Sequence, residues 1–391
     1  MAKSKLHLIS HSFPNQVSPY DATFISDHAS ALSEDFQVHV TVPTPRSIFL
    51  TRRFRKNHSQ LITPEKVSSE RCHYLSFPKR MLPSMIQRSI SKQVLKRSSH
   101  ADPDLIHLHY AYPSGLLIPE LKKHLDAPII LTIHGSNFYN SINKPTLHKI
   151  LGNSLDQADK IVAVGPALEK HILDEFPHLK QKVRTIHNFV DTGFFQLKYQ
   201  KESNPSGNDP GRPFRLLTVA NLRYTKGIDT LIDAISLISD KVALNLTVIG
   251  RLNDEPEFKK SIFTKIRSLD LRQVNFIGPK SRNEILEWLH RADGFVLPSR
   301  REAFGISLIE AIACGLPVVS TRSGGPEAIL SNEWGFLVDP ENPQQLADAI
   351  HRMTQLDSFD AEGQHRYIEE NFGKERYVKE YTELYDQLLS K

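Results

Sequence analysis

Residues 294–320, GFVLPSRREAFGISLIEAIACGLPVVS, contain the patterns of a strand, a helix and a second strand in immediate succession. The apolar run GFVLP ends at Pro298, and a helical pattern begins near Ile306 after a short polar loop. Gly315 and Pro317 end the helix before the apolar run PVVS. Two strands joined by a crossover helix are typical of a parallel sheet covered by helices. The apolar face of the helix contains Ile309, Ile312 and Ala313.

The same alternation of short apolar runs and helical patterns extends in both directions from this stretch. Most runs are continuously apolar, which is typical of strands that helices cover on both faces. We therefore predict an α/β fold of two Rossmann-like parallel-sheet domains facing a central cleft, where ligands bind at strand ends. The runs begin near Leu6, Val38, Leu105, Pro128 and Lys160 in the first half and near Arg215, Leu244, Val274, Gly294 and Pro317 in the second.

A polar segment without periodicity, KYQKESNPSGNDPGRP, separates the two sets of apolar runs. Its content of Pro, Gly, Ser and Asn predicts an interdomain linker over residues 198–213. The N-terminal domain would then occupy residues 1–197 and the C-terminal domain residues 214–372. Residues 373–391 have the apolar spacing of an amphipathic helix. The spacing does not identify the domain that this helix covers, and we expect it to cross back to the N-terminal domain.

The composition indicates a globular protein with 39% hydrophobic and 24% charged residues in a chain of 391, enough for two domains. No apolar run approaches the roughly 20 residues that cross a bilayer. The first residues lack the features of a secretory signal, so we expect a cytoplasmic location. The two cysteines, Cys72 and Cys314, are too few for a disulfide framework or a zinc set.

Two segments concentrate the positive charge of the chain. The second, residues 79–97, has no acidic residue and predicts a basic amphipathic helix with an apolar stripe. Such a helix can lie on the anionic inner face of a membrane, but many helices packed on their own domain share the pattern. Both interpretations remain open. The first segment contains Arg46, Arg52, Arg53, Arg55 and Lys56, and the second contains Lys79, Arg80, Arg88, Lys92, Lys96 and Arg97, with Met81, Leu82, Met85, Ile86, Ile90, Val94 and Leu95 as its stripe.

Two carboxylates flank the strand-to-helix turn of the first stretch, Glu302 in the loop and Glu310 on the helix. Gly305 lets backbone N–H groups at this turn approach an anion, and the helix dipole favours a diphosphate there. The two carboxylates would then bind hydroxyl groups of a sugar and a ribose on either side of the diphosphate. The alternatives are an acidic residue at a helix start for Glu302 and an exposed helix glutamate for Glu310.

The spacing from Glu302 to Glu310 resembles the Glu-x₇-Glu signature of retaining glycosyltransferases of family 4, which have the GT-B fold. The resemblance extends through SGGPEAI at Ser323, GFLVDP at Gly335 and VANLRYTKGIDTLIDA at Val219. The N-terminal half matches more loosely, through HLHYAYPSG, LTIHGSN and IHNFVD. Together these motifs span most of the chain.

The resemblance implies a role for each matched position. Lys226 would contact the donor diphosphate, Glu302 the donor sugar, and Glu310 the ribose. Phe304, Gly305 and Ile306 would offer backbone N–H groups to the diphosphate. His134 matches the histidine that lies beside the donor sugar. The catalytic set would therefore be Glu302, His134 and Lys226.

The chain departs from the family pattern at two places. Asn221 stands where an arginine is frequent, and Arg223 is our candidate to replace that phosphate-binding cation. The loop from His11 has no glycine, and Ala22 occupies the glycine position of a related Pro-x-x-Gly-x-Phe-Ile form. Close approach of the backbone to a diphosphate is therefore in question there, and the loop is an alternative acceptor site.

Several other signals carry less weight. Asp102-Pro103-Asp104 resembles an Asp-x-Asp metal motif but precedes a strand, where Asp-Pro is ordinary turn chemistry. His107 and His109 alternate on one strand, and no third metal ligand is evident in the sequence. Cys314 precedes a helix-ending glycine and fits a core residue better than a nucleophile. No phosphate-binding Walker loop and no nucleic-acid-binding constellation is present.

The resemblance implies sugar transfer from a nucleoside diphosphate donor, with retention and without a metal or other cofactor, because Lys226 and backbone N–H groups stabilise the leaving group. The expected acceptor is a glycan or lipid-linked sugar of polysaccharide or cell-envelope synthesis. The alternatives are a nucleotide-sugar epimerase on the same fold and a bilobed sugar-binding protein without catalysis. The nucleotide base, the donor sugar and the acceptor remain open.

Overall fold

A computed structural model describes residues 3–47, 59–76, 83–197, 212–330, 334–356 and 358–390. The chain forms two compact units. Unit 1 comprises residues 1–187 and 378–391, and unit 2 comprises residues 188–377. Most of the predicted linker, residues 198–211, lies outside the described residues.

Unit 1 is built on a seven-stranded sheet with the order β3-β2-β1-β4-β5-β6-β7, and every described strand pair is parallel. The two central strands, β4 and β5, are buried at every position. The continuous apolar runs of the sequence therefore predict the interior of the sheet correctly. The strands are β1 Lys5–Ser10, β2 Gln37–Ser47, β3 Ser68–Ser76, β4 Leu105–His109, β5 Ile129–Ile133, β6 Lys160–Ala163 and β7 Val183–Thr185.

Helices connect these parallel strands and pack their apolar stripes on the sheet. In the second helix, Ile86, Ile90 and Val94 are buried, whereas Met85 is exposed. Met85 therefore does not belong to the buried stripe that the sequence predicts, and the described helix begins only at Pro83. The helices are α1 Thr23–Leu32, α2 Pro83–Ala101, α3 Ile118–His124, α4 Ser136–Ile142, α5 Pro145–Gln157 and α6 Pro166–Glu175.

Unit 2 is built on a six-stranded parallel sheet with the order β10-β9-β8-β11-β12-β13. Its core packs the sheet against the buried faces of two helices that follow β8 in the sequence, α7 Ile228–Ile238 and α12 Pro343–Thr354. The strands are β8 Phe214–Val219, β9 Leu244–Ile249, β10 Val274–Gly278, β11 Gly294–Leu297, β12 Val318–Thr321 and β13 Phe336–Val338. The helices are α7 Ile228–Ile238, α8 Pro256–Ser268, α9 Arg282–Arg291, α10 Ile306–Ala313, α11 Pro326–Ile329, α12 Pro343–Thr354 and α13 Ala361–Phe372.

The last helix, α14 Lys374–Leu389, begins in unit 2 and continues in unit 1. Its Tyr381 and Tyr385 are fully buried in unit 1. The units divide after residue 187 rather than at residue 197, because residues 188–197 pack within unit 2. There, the N–H of Val190 donates to the carbonyl oxygen of Phe372 at 2.9 Å, and the guanidinium of Arg282 lies over the ring of Phe195.

Candidate functional site

In unit 2, the turn after β8 presents Lys226 at the beginning of α7. Residues 224–226 form one turn of 3₁₀-helix, and Gly227 follows with a left-handed φ of 64°. A Cβ atom at Gly227 would lie 1.9 Å from the carbonyl oxygen of Pro298, so only glycine allows this approach. The N–H of Arg300 donates to the carbonyl oxygen of Thr225 at 2.9 Å. The turn is therefore fixed directly against the loop that follows β11.

That loop carries Glu302, whose carboxylate accepts a hydrogen bond from the Nζ of Lys226. The two residues lie 76 positions apart in the sequence, and their side chains are 27% and 14% exposed. The hydroxyl of Ser299 donates to the same carboxylate oxygen at 3.3 Å. The structure thus brings together two of the three residues predicted to be catalytic, as a partly buried ion pair.

The backbone of Glu302 is held from the opposite side by the loop after β12. Its N–H donates to the carbonyl oxygen of Ser323 at 2.9 Å, and the N–H of Gly325 donates to its carbonyl oxygen at 2.8 Å. A Cβ atom at Gly325 would lie 2.1 Å from the carbonyl oxygen of Phe304. The motif SGGPEAI therefore fixes the loop of Glu302 through close backbone contacts that a larger residue at Gly325 would prevent.

Helix α10 begins four residues after Glu302, directly after the same loop. Gly305 precedes the helix with a φ of 112°, and the side chain of Phe304 is buried against Phe372. The N–H of Leu308 already donates to the carbonyl oxygen of Gly305 at 3.0 Å. The N–H groups of Ile306 and Ser307 come before the first intrahelical hydrogen bond and carry the positive end of the helix dipole. An anion beside Lys226 would therefore meet two sources of positive potential.

The other residues predicted to bind the donor occupy different environments. Glu310 lies on α10 and is partly buried. The side-chain oxygen of Asn221 accepts a hydrogen bond from the N–H of Arg251 at 2.9 Å, so Asn221 fixes the loop after β9. Arg223 forms an ion pair with Asp254 at 2.6 Å. In this structure Arg223 is therefore held by a carboxylate.

In unit 1, His134 follows β5 and is hydrogen-bonded to a second histidine. Its Nε2 lies 3.0 Å from the Nδ1 of His109, and the two rings are stacked. The Nδ1 of His134 and the Nε2 of His109 are buried without a hydrogen-bond partner among the described residues. Burial lowers the pKa of both rings well below the ordinary value, and each ring also lowers the pKa of a neighbouring histidine.

The neighbouring residues extend this network to α14. The Nδ1 of His107 lies 2.6 Å from the hydroxyl of Tyr385, and its Nε2 lies 2.7 Å from the hydroxyl of Thr132. The hydroxyl of Thr132 lies 3.0 Å from that of Tyr381. Both ring nitrogens of His107 are therefore engaged in hydrogen bonds with buried hydroxyl groups.

A third histidine, His28 on α1, completes a buried group with His107 and His109. One nitrogen of each ring lies within 4.8 Å of the others, a spacing that admits a metal ion. The sequence alone does not reveal His28, because it lies on a helix far from the strand of the other two. The hydrogen bonds of His107 to Tyr385 and Thr132 favour a neutral hydrogen-bonding network over a metal centre.

The first loop of unit 1 retains a glycine-like backbone despite its lack of glycine. Ala22 has φ 49° and ψ 44°, a left-handed conformation that costs a residue with a Cβ about 1–2 kcal/mol. Ala22 therefore preserves at this position the backbone geometry that glycine adopts readily.

Two family models match the chain over adjacent ranges. Residues 22–194 match the model described as Glycosyltransferase Family 4, and residues 200–372 match Glycosyl transferases group 1. The chain is a GT-B glycosyltransferase of the family 4 type. The expected fold class and family are thereby confirmed.

The glycosyltransferase is similar to proteins from several bacteria. N-acetyl-alpha-D-glucosaminyl L-malate synthase of Bacillus anthracis is 26% identical over 77% of this chain and 79% of its own. The putative teichuronic acid biosynthesis glycosyltransferase TuaC of Bacillus subtilis is 27% identical over 89% and 88%. Sucrose-phosphate synthase of Thermosynechococcus elongatus has a TM-score of 0.81 at 19% identity, over 99% and 100%. Anabaena Alr3699/HepE in complex with UDP-glucose has a TM-score of 0.73 at 18% identity, over 98% and 100%.

Arg300 contacts the turn of Lys226 and lies in the loop of Glu302, and the sequence does not single it out. Its guanidinium contacts Asp229, Glu341 and the ring of Tyr224, and it lies two residues before Glu302. Burial alone would lower the pKa of Arg300, but hydrogen bonds to Asp229 and Glu341 raise it.

No helix among the described residues is long and apolar enough to cross a membrane.

Proposed function

We propose that this glycosyltransferase moves a sugar from a nucleoside diphosphate donor to a glycan or lipid-linked acceptor, with retention of anomeric configuration and without a metal ion. The observation that carries the proposal is the ion pair of Lys226 and Glu302 beside the first turn of α10. It combines a cation, the N–H groups of a helix start and a carboxylate within one unit.

The diphosphate is the group on which negative charge develops during transfer. The bond between the anomeric carbon and the β-phosphate oxygen breaks, and its electron pair remains on that oxygen. The ammonium of Lys226 and the N–H groups of residues 304–306 stabilise this charge because they are already oriented before reaction. Such fixed positive groups take the place of a divalent cation in this proposal.

The acceptor oxygen attacks the same face of the anomeric carbon from which the diphosphate leaves. The acceptor proton passes to the leaving phosphate oxygen, so the step is balanced without a further base. The carboxylate of Glu302 is engaged by Lys226 and by the hydroxyl of Ser299 at 3.3 Å. These contacts support a role in binding the donor sugar rather than in forming a covalent intermediate.

The names of the similar proteins guide the choice of acceptor. One relative makes a glucosaminyl malate and another is assigned to teichuronic acid biosynthesis, so sugar transfer in cell-envelope or polysaccharide synthesis is the proposed role. The nucleotide of the donor is the first property to determine. UDP is one candidate, because the structure of Alr3699/HepE is a complex with UDP-glucose.

Calorimetric titration of the full chain with UDP, GDP and ADP in EDTA tests the donor site. We expect one nucleotide to bind without metal and Glu310→Ala to weaken its binding at least about tenfold, the effect of losing charged hydrogen bonds to ribose. Glu370→Ala, on the exposed face of α13, is the matched control and should bind normally. Absence of binding by all three nucleotides, or binding that Glu310→Ala leaves unchanged, would refute the donor site.

Product analysis distinguishes transfer from its alternatives. Transfer requires an acceptor and gives a product with the anomeric configuration of the donor, which NMR spectroscopy detects. An epimerase would release an isomer or free sugar without dependence on an acceptor, and a binding protein would turn nothing over. Mass spectrometry of the protein after turnover should find no glycosyl group on Glu302.

We also propose that the protein binds an anionic membrane surface, and the exposed face of α2 supports this. Arg88, Lys92 and Lys96 recur every four residues on this face and are exposed, with the apolar Met85 beside them. We expect binding to anionic vesicles that the triple change R88E/K92E/K96E abolishes and high salt weakens. The change K123E/K170E/K180E, at exposed lysines elsewhere in unit 1, is the control for net charge. Equal binding by the two triple variants would contradict a specific membrane face.

A further inference from the structure

The carboxylate of Glu302 is engaged through only one of its two oxygens. The ammonium of Lys226 and the hydroxyl of Ser299 both donate to Oε2, the second at 3.3 Å. No group of the described residues donates to Oε1. The side chain of Glu302 is 14% exposed, and Oε1 is not among the buried polar atoms that lack a partner. Oε1 is therefore open to solvent and able to accept a hydrogen bond from a ligand.

The sheet of unit 2 holds Ser299 beside this carboxylate. Ser299 lies two residues after β11 and is fully buried. The hydroxyl of Thr321, on the neighbouring strand β12, donates to the carbonyl oxygen of Ser299. A serine hydroxyl has one proton to donate, and Ser299 donates it to Glu302. Ser299 therefore has a fixed place and a single acceptor for its proton.

We propose that Ser299 is the positioning residue for Glu302: together with Lys226 it holds Oε2, so that Oε1 accepts a hydrogen bond from a hydroxyl group of the donor sugar. This inference rests on the proposed function, which assigns the donor sugar to Glu302. All three residues belong to unit 2. Because hydrogen bonds to a carboxylate are directional, a fixed Oε1 favours one hydroxyl group of the sugar over its neighbours.

The backbone keeps Glu302 and Lys226 within reach of each other. The N–H groups of Arg300 and Arg301 both donate to the carbonyl oxygen of Thr225, at 2.9 and 3.3 Å. An ammonium has three protons, and among the described residues Lys226 uses one of them, for Glu302. The other protons of Lys226 remain for the diphosphate of a bound donor.

A bound donor changes the balance of these contacts. The diphosphate attracts Lys226, which is then shared between two anions and holds Glu302 less tightly. Ser299 has no second acceptor, so its hydroxyl stays on Oε2. The distance of 3.3 Å between these oxygens is long for an O–H···O hydrogen bond, and such contacts at reaction sites tighten in the complex. Ser299 thus keeps the carboxylate in place when Lys226 turns to the diphosphate.

The variants Ser299→Ala and Ser299→Cys test this role. Alanine has no donor, whereas cysteine keeps the shape of serine and donates weakly. In the full chain we measure by calorimetric titration the Kd of UDP and UDP-glucose, GDP and GDP-mannose, and ADP and ADP-glucose. For the pair that binds, S299A should weaken the sugar nucleotide about fivefold relative to the nucleoside diphosphate, the effect of one lost hydrogen bond. S299C should fall between S299A and the wild type.

Ser320→Ala is the matched control. Ser320 is also fully buried in unit 2, and its hydroxyl donates to the carbonyl oxygen of Leu297 at 3.0 Å rather than to Glu302. S320A should lower stability and leave the ratio of the two Kd values at its wild-type level. A ratio that S299A does not change, or that S299A and S320A change equally, would overturn the proposal.

Fluorinated donors identify the hydroxyl group that Oε1 binds. Fluorine in place of a ring hydroxyl removes the donated proton, so we measure the Kd of sugar nucleotides in which each ring hydroxyl is replaced in turn. One replacement should weaken binding to the wild type about tenfold and to S299A much less, because both changes affect the same hydrogen bond. Equal losses in the two proteins for every replacement would contradict the link between Ser299 and the sugar.

The contact between Ser299 and Glu302 also has a readout without nucleotide. A double-mutant cycle of S299A and E302A, measured by urea unfolding, isolates their interaction. The double variant should lose less stability than the sum of the two single losses, and additive losses would refute the positioning contact. If no nucleotide bound to the wild type, the proposed function would fail, and the cycle would still decide whether Ser299 holds Glu302.

Discussion

Arg300 donates from its two terminal nitrogens to the two carboxylate oxygens of Asp229, each at 2.7 Å. Its Nε donates to Glu341 at 2.8 Å, and its guanidinium lies over the ring of Tyr224 at 3.9 Å. Asp229 is in the first turn of α7, three residues after Lys226. This ion pair therefore ties the Lys226 turn to the loop that carries Glu302.

The changes Arg300→Lys and Asp229→Asn should each destabilise unit 2, because lysine cannot make the two parallel hydrogen bonds of arginine. We expect the free energy of unfolding to fall by about 2 kcal/mol, since both side chains are mostly buried. The double variant should lose less than the sum. Urea unfolding followed by tryptophan fluorescence measures the free energy of unfolding of unit 2, because both tryptophans, Trp288 and Trp334, lie in that unit.

A half-exposed ion pair of the same unit serves as the control. Arg322 and Asp339 lie 3.6 Å apart with side chains 50% and 58% exposed. A double-mutant cycle of Arg322→Lys and Asp339→Asn should give an interaction free energy near zero, as is usual for exposed ion pairs. A coupling as small as this for Arg300 and Asp229 would contradict their structural role.

Local sequence pattern predicts the interior strands of each sheet and the edge strand β10, but it misses the other three edge strands, β3, β7 and β13. The continuous apolar runs become β1, β2, β4, β5 and β6 in unit 1. In contrast, β3 has the sequence SSERCHYLS, whose Glu70 and Arg71 interrupt any apolar run, because it is an edge strand with one neighbour. The strands β7 and β13 have only three residues each, too few for a periodic signal.

The same limit applies to the candidate site. The motif residues Lys226 and Glu302 can be found from the resemblance, and the structure places them in contact. Arg300 is locally one of two adjacent arginines, and its partner Asp229 lies 71 residues away. His28 becomes a neighbour of His107 only when α1 packs on the sheet. Contacts of this kind depend on the tertiary fold and leave no trace in spacing.

Gly227→Ala should damage both stability and donor binding. An added Cβ would meet the carbonyl oxygen of Pro298 at 1.9 Å, and φ is 64°. Gly278→Ala is the matched control, because its φ is 74° but nothing lies within 4 Å of the added atom. We expect losses of about 3 kcal/mol for Gly227 and about 1 kcal/mol for Gly278, measured by urea unfolding. Equal losses would show that the stability cost of Gly227→Ala comes from backbone strain and not from the contact with Pro298.

The stability of unit 1 should fall as the pH is lowered below about 6.5. Burial lowers the pKa of His7 and His28 to about 3, so the unfolded chain binds protons near pH 6.5 that the folded chain binds only near pH 3. Each ring therefore contributes a loss of up to about 1.4 kcal/mol per pH unit in this window and none above it. Calorimetric Tm values measured from pH 7.5 to 5 give the slope of stability against pH. Most carboxylates keep their charge over this range, so they contribute little to the slope.

His7→Gln should make this slope shallower, because one titrating ring is removed. Ser98→Ala is the control: it removes the hydroxyl 3.1 Å from the Nδ1 of His7 but keeps the ring. It should lower Tm at every pH and leave the slope nearly unchanged. A slope that His7→Gln does not alter would mean that His7 is not protonated on unfolding in this range.

Asp254 should limit the contribution of Arg223 to donor binding. Arg223 is paired with Asp254 at 2.6 Å, so a diphosphate has to compete with a carboxylate for the same guanidinium. Lys226 is also paired with a carboxylate, but its side chain is less exposed than that of Arg223, 27% against 40%, so water screens its charge less. We therefore expect Arg223→Met to weaken nucleoside diphosphate binding only about twofold, whereas Lys226→Met weakens it at least about tenfold. Asp254→Asn should tighten binding in the wild-type background but not in the Arg223→Met background, which calorimetric titration measures.

Lys241→Met, at an exposed site of unit 2, controls for net charge. If Arg223→Met cost as much as Lys226→Met, the guanidinium would have to leave Asp254 on donor binding, and the two cations would act as a pair.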